Sequence, residues 1–444
     1  MLSLNIKNEK FFNFFSYILA LFPLALILGV FIAELISFIC ILYFLFCLDK
    51  QNYRKYLFNN FSKFFIIFYF IILITSLLNF YSFRWFIPAL FFFRFFLFSL
   101  SIWYILDNSN FFEGKKKNIV IITFLILLLD SLIQNYSGVN LIGYEIQKSE
   151  RISSFFYEDL VLGGYVLRLL PLVIIILLID NKKKISFFTI CFFLTLSFLT
   201  IIYSGERVST SLTILYLFLL FLLSNEIRKF LITTLLIIGV ILSITSTFDI
   251  GEVNFKKRLF DQTIQQIYGE DTNPVIDERT ERTRKLDKVF GKFYIFSYDH
   301  HSHYVLASKM IKDSPIIGKG VRGFRWLCFK TDQYKNIDNM GCSTHPHNTY
   351  VQILVSTGIF GFMMIIFLFF YVTKIYFNNL NTRLNQKNQN LIYQNILIGI
   401  IIVNLWPLIP SGNFYNNFIG LQYFFPVGFY LYFKNKKNDN GKVS

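Results

Sequence analysis

All five histidines of the chain fall in two short segments: His300, His301 and His303 in one, His345 and His347 in the other. An imidazole with an unperturbed pKa near 6.5 exchanges a proton near neutral pH, which suits general-base work. His-x-His with three more histidines nearby is also compatible with zinc, although that pattern alone is a weak metal signal. Confinement to polar stretches follows in part from the cost of ionisable groups in lipid. Five arginines draw attention beside them. Arg207 adjoins Glu206, Arg168 lies inside an apolar run, and Arg151, Arg322 and Arg325 lie in polar stretches. Guanidinium forks bind phosphate oxygens bidentately. The plainer readings are a snorkelling Arg207 or its ion pair with Glu206, and a pair between Arg168 and Glu158 or Asp159. No Asp-x-Asp pair occurs, which argues against a nucleotide-sugar enzyme that holds a metal with one.

These residues need a scaffold, and composition says which kind. Of 444 residues 55% are hydrophobic, 57 are Phe and only 16% are charged. Apolar runs of about 20 residues recur along the chain, the length of a membrane span. They cover approximately 11–30, 31–48, 61–79, 85–105, 118–134, 160–180, 185–204, 210–224, 229–247, 349–373, 391–410 and 419–433. Barrel strands are shorter and alternate in polarity. The expected fold is therefore an all-α integral membrane protein with about twelve transmembrane helices. Residues 1–247 hold nine spans, 248–348 form one large loop, 349–433 hold three spans, and 434–444 form a polar tail. Short helices are expected in the loop around Asp277–Val289 and His303–Lys312. The N-terminus lacks a small-residue cleavage pattern and reads as a retained first helix.

The net charge of +16 is explained by orientation and not by nucleic acid. Lys50, Arg54, Lys55, Lys115, Lys116, Lys117, Lys182, Lys183, Lys184, Arg228 and Lys229 fall in alternate connections, and the others hold scattered charges such as Arg84, Lys148 and Arg151. The positive-inside rule then places both termini in the cytoplasm and residues 248–348 outside. Cys40, Cys47 and Cys191 read as small buried hydrophobes, whereas Cys328 and Cys342 lie in the outside loop. Their separation suits a disulfide that pins the chain ahead of His345; two free thiols are the alternative.

The segment Cys342-Ser-Thr-His345-Pro-His347-Asn348-Thr-Tyr350, with Gln352 and then Gly358-x-x-Gly361, closely resembles the signature of the O-antigen ligase family. Pro315-Ile-Ile-Gly318-Lys-Gly320 with Phe324-Arg325, and the stretch Tyr304–Met310 before it, are similar to further family elements. So are Arg151–Phe156 with Gly163, Gly164, Tyr165 and Arg168, and Ser204-Gly205-Glu206-Arg207. The resemblance covers about residues 150–375 in family order.

That resemblance implies a bacterial inner-membrane glycosyltransferase working at the periplasmic face. It would move a glycan from an undecaprenyl-pyrophosphate donor to an acceptor hydroxyl such as a lipid A-core sugar, with no metal or other cofactor. His347 is then the general base, with His345, His300 and His303 orienting it or binding substrate. Arg207 would stabilise the departing pyrophosphate, and Arg168, Arg151, Arg322 and Arg325 are candidates for binding substrate. The family has a second essential arginine in the large loop, which alignment does not fix. Arg279, Arg282 and Arg284 lie in a charge run, Arg322 and Arg325 lie nearer the key histidine, and His301 stands where relatives often carry an arginine. An O-antigen polymerase or a protein O-oligosaccharyltransferase shares these features. A secondary transporter is the non-enzyme alternative, although the chain has neither internal repeats nor paired interrupted helices.

Overall fold

A computed structural model describes residues 9–146, 151–181, 187–269, 288–331, 334, 341–385 and 388–436. Long apolar runs become helices because lipid offers the backbone no partner and only a helix satisfies its own hydrogen bonds. From the N-terminus come α1 (Glu9–Ala20), α2 (Phe22–Leu28), α3 (Val30–Cys47), the short α4 (Tyr53–Leu57), α5 (Asn60–Leu78), α6 (Phe83–Leu90), α7 (Phe93–Asp107) and α8 (Lys115–Ser137). Next are α9 (Leu162–Asn181), α10 (Phe187–Tyr203), α11 (Arg207–Phe221) and α12 (Asn225–Thr247). The polar stretch holds a π-helical turn, Lys257–Asp261, that leads into α13 (Gln262–Tyr268), then α14 (Tyr298–Asp313) and α15 (Gly323–Lys330). The last helices are α16 (Thr349–Asn385), α17 (Gln389–Asn404) and α18 (Asn417–Asn435). Among the described residues the only extended pairings are two isolated bridges, Val139 with Glu145 and Val289 with Phe293.

The chain is all-α and multi-pass, as expected. Seven helices are long and apolar enough to cross a membrane, counting Phe83–Asp107 as one, and the bent pair α1–α2 makes eight. α10, α11 and α17 are apolar but shorter. Phe31, Phe46, Leu236 and Phe370 point outward, as lipid-facing residues do. The boundary expected near residue 30 is real: Gly29, at φ +142°, separates α2 from α3. Two further breaks fall inside expected spans, between α1 and α2 just before Pro23, and between α6 and α7 just after Pro88.

The loop helix expected at His303–Lys312 is α14, which begins earlier, at Tyr298. The one expected at Asp277–Val289 falls almost wholly outside the described residues, as do Arg279, Arg282, Arg284 and Lys148. A small core of its own holds the loop helices to the bundle. Leu306, Ala307 and Met310 of α14 pack with Phe324, Leu327 and Cys328 of α15 against Val355 of α16. This core sets the first histidine segment over the second.

Candidate functional site: a histidine cluster beside an arginine cluster

α14 begins at Ser297, whose Oγ accepts from the backbone N–H of His300 at 3.2 Å. His300 and His303 are on one face of the helix. The turn entering α16 brings His345 and His347 against them. The His347 ring centroid is 4.0 Å from that of His345, 5.1 Å from His303 and 5.4 Å from His300. His347 has φ +52°, a conformation costly for a non-glycine residue and typical of functional positions. Its Nε2 lies 3.2 Å from Ser343 Oγ. His303 Nδ1 lies 2.9 Å from the Gly341 carbonyl, and His345 Nε2 lies 3.3 Å from the Ser411 carbonyl. His301 points away, its Nδ1 accepting from Ile295 N–H at 3.3 Å.

The rest of the motif builds this turn. Asn348 accepts from the N–H groups of Tyr350 and Val351 at 3.0 and 3.1 Å, which caps α16, and donates to the Pro407 carbonyl at 2.9 Å. The Ser411 N–H binds the His347 carbonyl at 2.8 Å. Tyr350 Oη donates to the Leu405 carbonyl at 2.6 Å, and Gln352 Nε2 donates to Asn413 Oδ1 at 2.7 Å. Asn, Tyr and Gln therefore fix the histidine turn to the segment between α17 and α18.

Burial is the first cause that lowers three of these imidazoles, His347, His345 and His300. His347 is pushed down to about 3, first by burial and then by His345, His303 and His300. His345 is pushed down to about 4, mainly by burial. His300 is lowered by burial, by His303 and by the Arg207 guanidinium, against the opposing pull of Asp299.

That effect of Arg207 on His300 ties the second cluster to the first. Arg207, at the start of α11, donates from Nε to the Arg258 carbonyl at 3.3 Å and from an η nitrogen to Gln266 Oε1 at 2.6 Å. Arg258 and Arg151 are near enough to repel it. Arg258 reaches Gln262 Oε1 at 2.6 Å, and a cavity of about 540 Å3 opens among Lys257, Arg258, Asp261, Gln262, Gln265 and Gln266. Glu206 does not pair with Arg207. It accepts instead from the N–H groups of Gly163 and Gly164 at 2.7 and 3.0 Å and from Ser209 Oγ at 2.6 Å. Its carboxylate thereby joins the start of α9 to the start of α11. Arg151 donates to the Ser204 carbonyl at 3.2 Å.

Residues 190–366 match the sequence model of a family described as O-antigen ligase. That segment, two fifths of the chain, is similar to the O-antigen ligase family. No curated relative matches it. The matched part contains Arg207, Arg258 and both histidine segments; Arg151 and Arg168 lie before it. Its two glycine elements meet in the structure. The Pro315–Gly320 segment lies in a break of α16 at Gly358, where Ile359 N–H binds the Pro315 carbonyl and Gly320 N–H binds the Ser356 carbonyl, both at 2.9 Å.

The remaining candidates lie elsewhere. Arg168 is not paired with Glu158 or Asp159. It binds the Gly164 carbonyl at 2.9 Å and Asn404 Oδ1 at 3.1 Å, and lies 5.1 Å over the Tyr423 ring. Arg322 and Arg325 lie over Trp85 at 5.6 and 5.8 Å, on an aromatic platform and not among the histidines. Cys328 and Cys342 are thiols in contact, and Cys342 pushes the Cys328 thiol up. Among the described residues no three His, Cys, Asp or Glu side chains are disposed to hold a metal. Sequence reasoning missed Arg258. Its signal was present, since Lys256-Lys257-Arg258 is a cationic run on the face expected to be poor in cations.

Proposed function

We propose that this protein is a periplasmic-face glycosyltransferase that uses an undecaprenyl-pyrophosphate-linked glycan as donor and a sugar hydroxyl, such as one on lipid A-core, as acceptor. The observation that carries the reading is a chain of neighbours inside a segment similar to this family: the His347 ring lies 5.4 Å from His300, the Arg207 guanidinium acts on His300, and Arg258 adjoins Arg207. His347 takes the acceptor proton as the oxygen attacks the anomeric carbon. The carbon–oxygen bond to pyrophosphate breaks, and the leaving group keeps the electron pair. Arg207 and Arg258 meet the charge that develops on it. A base at about 3 accepts a proton poorly, so the bound pyrophosphate is assigned a second part: its negative charge raises His347 toward the working range.

Twelve crossings with both termini cytoplasmic are part of the proposal. Three hydrogen-bonded junctions support the short helices as crossings. Gly163 meets Glu206, so α9 and α10 form an antiparallel pair. Arg207 meets Arg258, so α11 and α12 run out and back. Asn348 meets Pro407, so α17 returns beside α16.

Transfer with purified protein and lipid-linked donor tests the reading. His347→Ala is expected to lower the rate by about 10²–10⁴ with donor binding retained, and full activity would overturn the base assignment. The same geometry serves a polymerase, whose acceptor is a second lipid-linked glycan. Deletion separates the two: accumulated lipid-linked polymer with bare core indicates ligase, and core bearing a single repeat indicates polymerase.

A further inference from the structure

α5, α16, α17 and α18 enclose a groove of about 610 Å3. Its walls are apolar, with Phe64, Phe68, Phe367, Leu368, Phe424 and Val427. One end of its rim is polar and cationic: Asn59, Asn60, Lys63, Lys434 and Asn435. α16 starts beside His347 and first lines the groove at Ile365, roughly 24 Å from its start at 1.5 Å per residue. The lysine end therefore lies toward the opposite membrane surface.

The charges there are unusual. Lys55 and Lys117, also at helix ends, are paired with Asp107 and Asp180. Lys63 and Lys434 make no salt bridge among the described residues, and Lys434 lies 5.8 Å over the Tyr430 ring. An apolar slot inside a bilayer fills with lipid chains of any kind. Two unpaired cations at its surface end add a preference for a headgroup carrying net negative charge, the pattern of basic pockets between transmembrane helices that hold acidic lipids.

We propose that this groove is a binding site for an anionic glycerophospholipid, with its phosphate between Lys63 and Lys434 and an acyl chain along Phe64, Phe68 and Leu368. A polyprenyl chain is the competing occupant, because the far end of the groove, at Asn404 and Tyr423, borders Arg168. The cations at the surface end favour the phospholipid, since a donor headed at Arg168 leaves them without a partner. The proposed phosphate position, between Lys63 and Lys434, takes no part in the transfer reaction, so its failure leaves the proposed function untouched.

Native mass spectrometry of the full chain in detergent, with phosphatidylglycerol or phosphatidylcholine of matched chains, tests it. Phosphatidylglycerol is expected to be retained preferentially, and the preference to fall roughly fivefold for each of Lys63→Ala and Lys434→Ala. Lys63→Arg with Lys434→Arg keeps it, which separates lost charge from misfolding. Leu368→Trp, which fills the groove, is expected to reduce retention with both lysines in place. Equal retention of the two lipids, or a preference unchanged in the double alanine variant, overturns the proposal. Displacement of phosphatidylglycerol by a polyprenyl monophosphate that is insensitive to both lysines overturns it as well.

Discussion

At His347 the lowered pKa becomes a kinetic prediction. kcat/KM reports ionisations of the free enzyme, and kcat those of the substrate complex. A neutral imidazole is the active form, so activity falls as pH drops through its pKa. With His347 at about 3 and His345 at about 4 in the free enzyme, the acid limb of kcat/KM should lie below pH 5. The acid limb of kcat should lie higher, because the bound pyrophosphate favours the charged imidazole. Coincident limbs would sink the idea that donor charge tunes the base. Arg207 and Arg258 belong to the same scale. Arg258→Lys keeps the charge but loses the fork, and is expected to cut transfer tenfold or more, as one lost charge-assisted hydrogen bond of about 1.5–3 kcal/mol would. Donor titration with kcat and KM measured separately checks this, and a variant with unchanged kinetics removes Arg258 from the site. The histidines were legible because all five fall in two short segments, one of which resembles a family signature. Arg258 was not, because its neighbour Arg207 is 51 positions away and only the folded chain brings the two together.

At the scale of elements, the kink in α16 joins the two glycine motifs. A Cβ on Gly358 would lie 2.0 Å from the Ile316 carbonyl oxygen, and its φ of +64° already disfavours a side chain. Gly358→Ala is expected to cost at least about 2 kcal/mol through strain and clash together. Gly239→Ala in α12, where a Cβ meets nothing within 4 Å, should be neutral or slightly stabilising. Thermal unfolding of the two variants in one detergent makes the comparison, and equal melting temperatures would mean the insertion is not rigid. Cys328 and Cys342 touch where α15 meets the strand of chain before His345, so an oxidising compartment can close them. A mobility change on reduction that vanishes in Cys342→Ser is expected, and its absence in periplasm-exposed protein leaves two thiols. Helices were readable here because run length alone signals a span. Their breaks were less so: Gly29 fell at an expected boundary, whereas the bend before Pro23 and the break after Pro88 fell inside expected spans. Proline at a span interior both kinks and is tolerated, so local sequence does not say which.

For the whole molecule the decisive question is which face the histidines occupy. In the proposed topology, read from the lysine and arginine bias of alternate connections, they lie outside; the hairpins joined at Gly163, Arg207 and Asn348 bring Arg207, Arg258 and the His347 turn to the same end of their helices. α10, α11 and α17 are short for a hydrocarbon core of about 30 Å, which a protein tolerates by local thinning and by packing short helices among longer ones. Their antiparallel junctions make each a return path, so an even number of crossings follows if α1 and α2 form one span. Site-directed labelling then decides orientation. With Cys328 and Cys342 changed to Ser, Leu141→Cys lies in the connection after α8 on the histidine side, and Glu113→Cys lies in the connection before it. An impermeant maleimide should label Leu141→Cys in spheroplasts and Glu113→Cys only after lysis. The reverse result would put both histidine segments in the cytoplasm, away from any translocated lipid-linked glycan, and would end the periplasmic reading of the transfer reaction. Labelling of both sites before lysis would mean that α8 does not cross, and the alternation on which the twelve-span topology rests would fail at that helix.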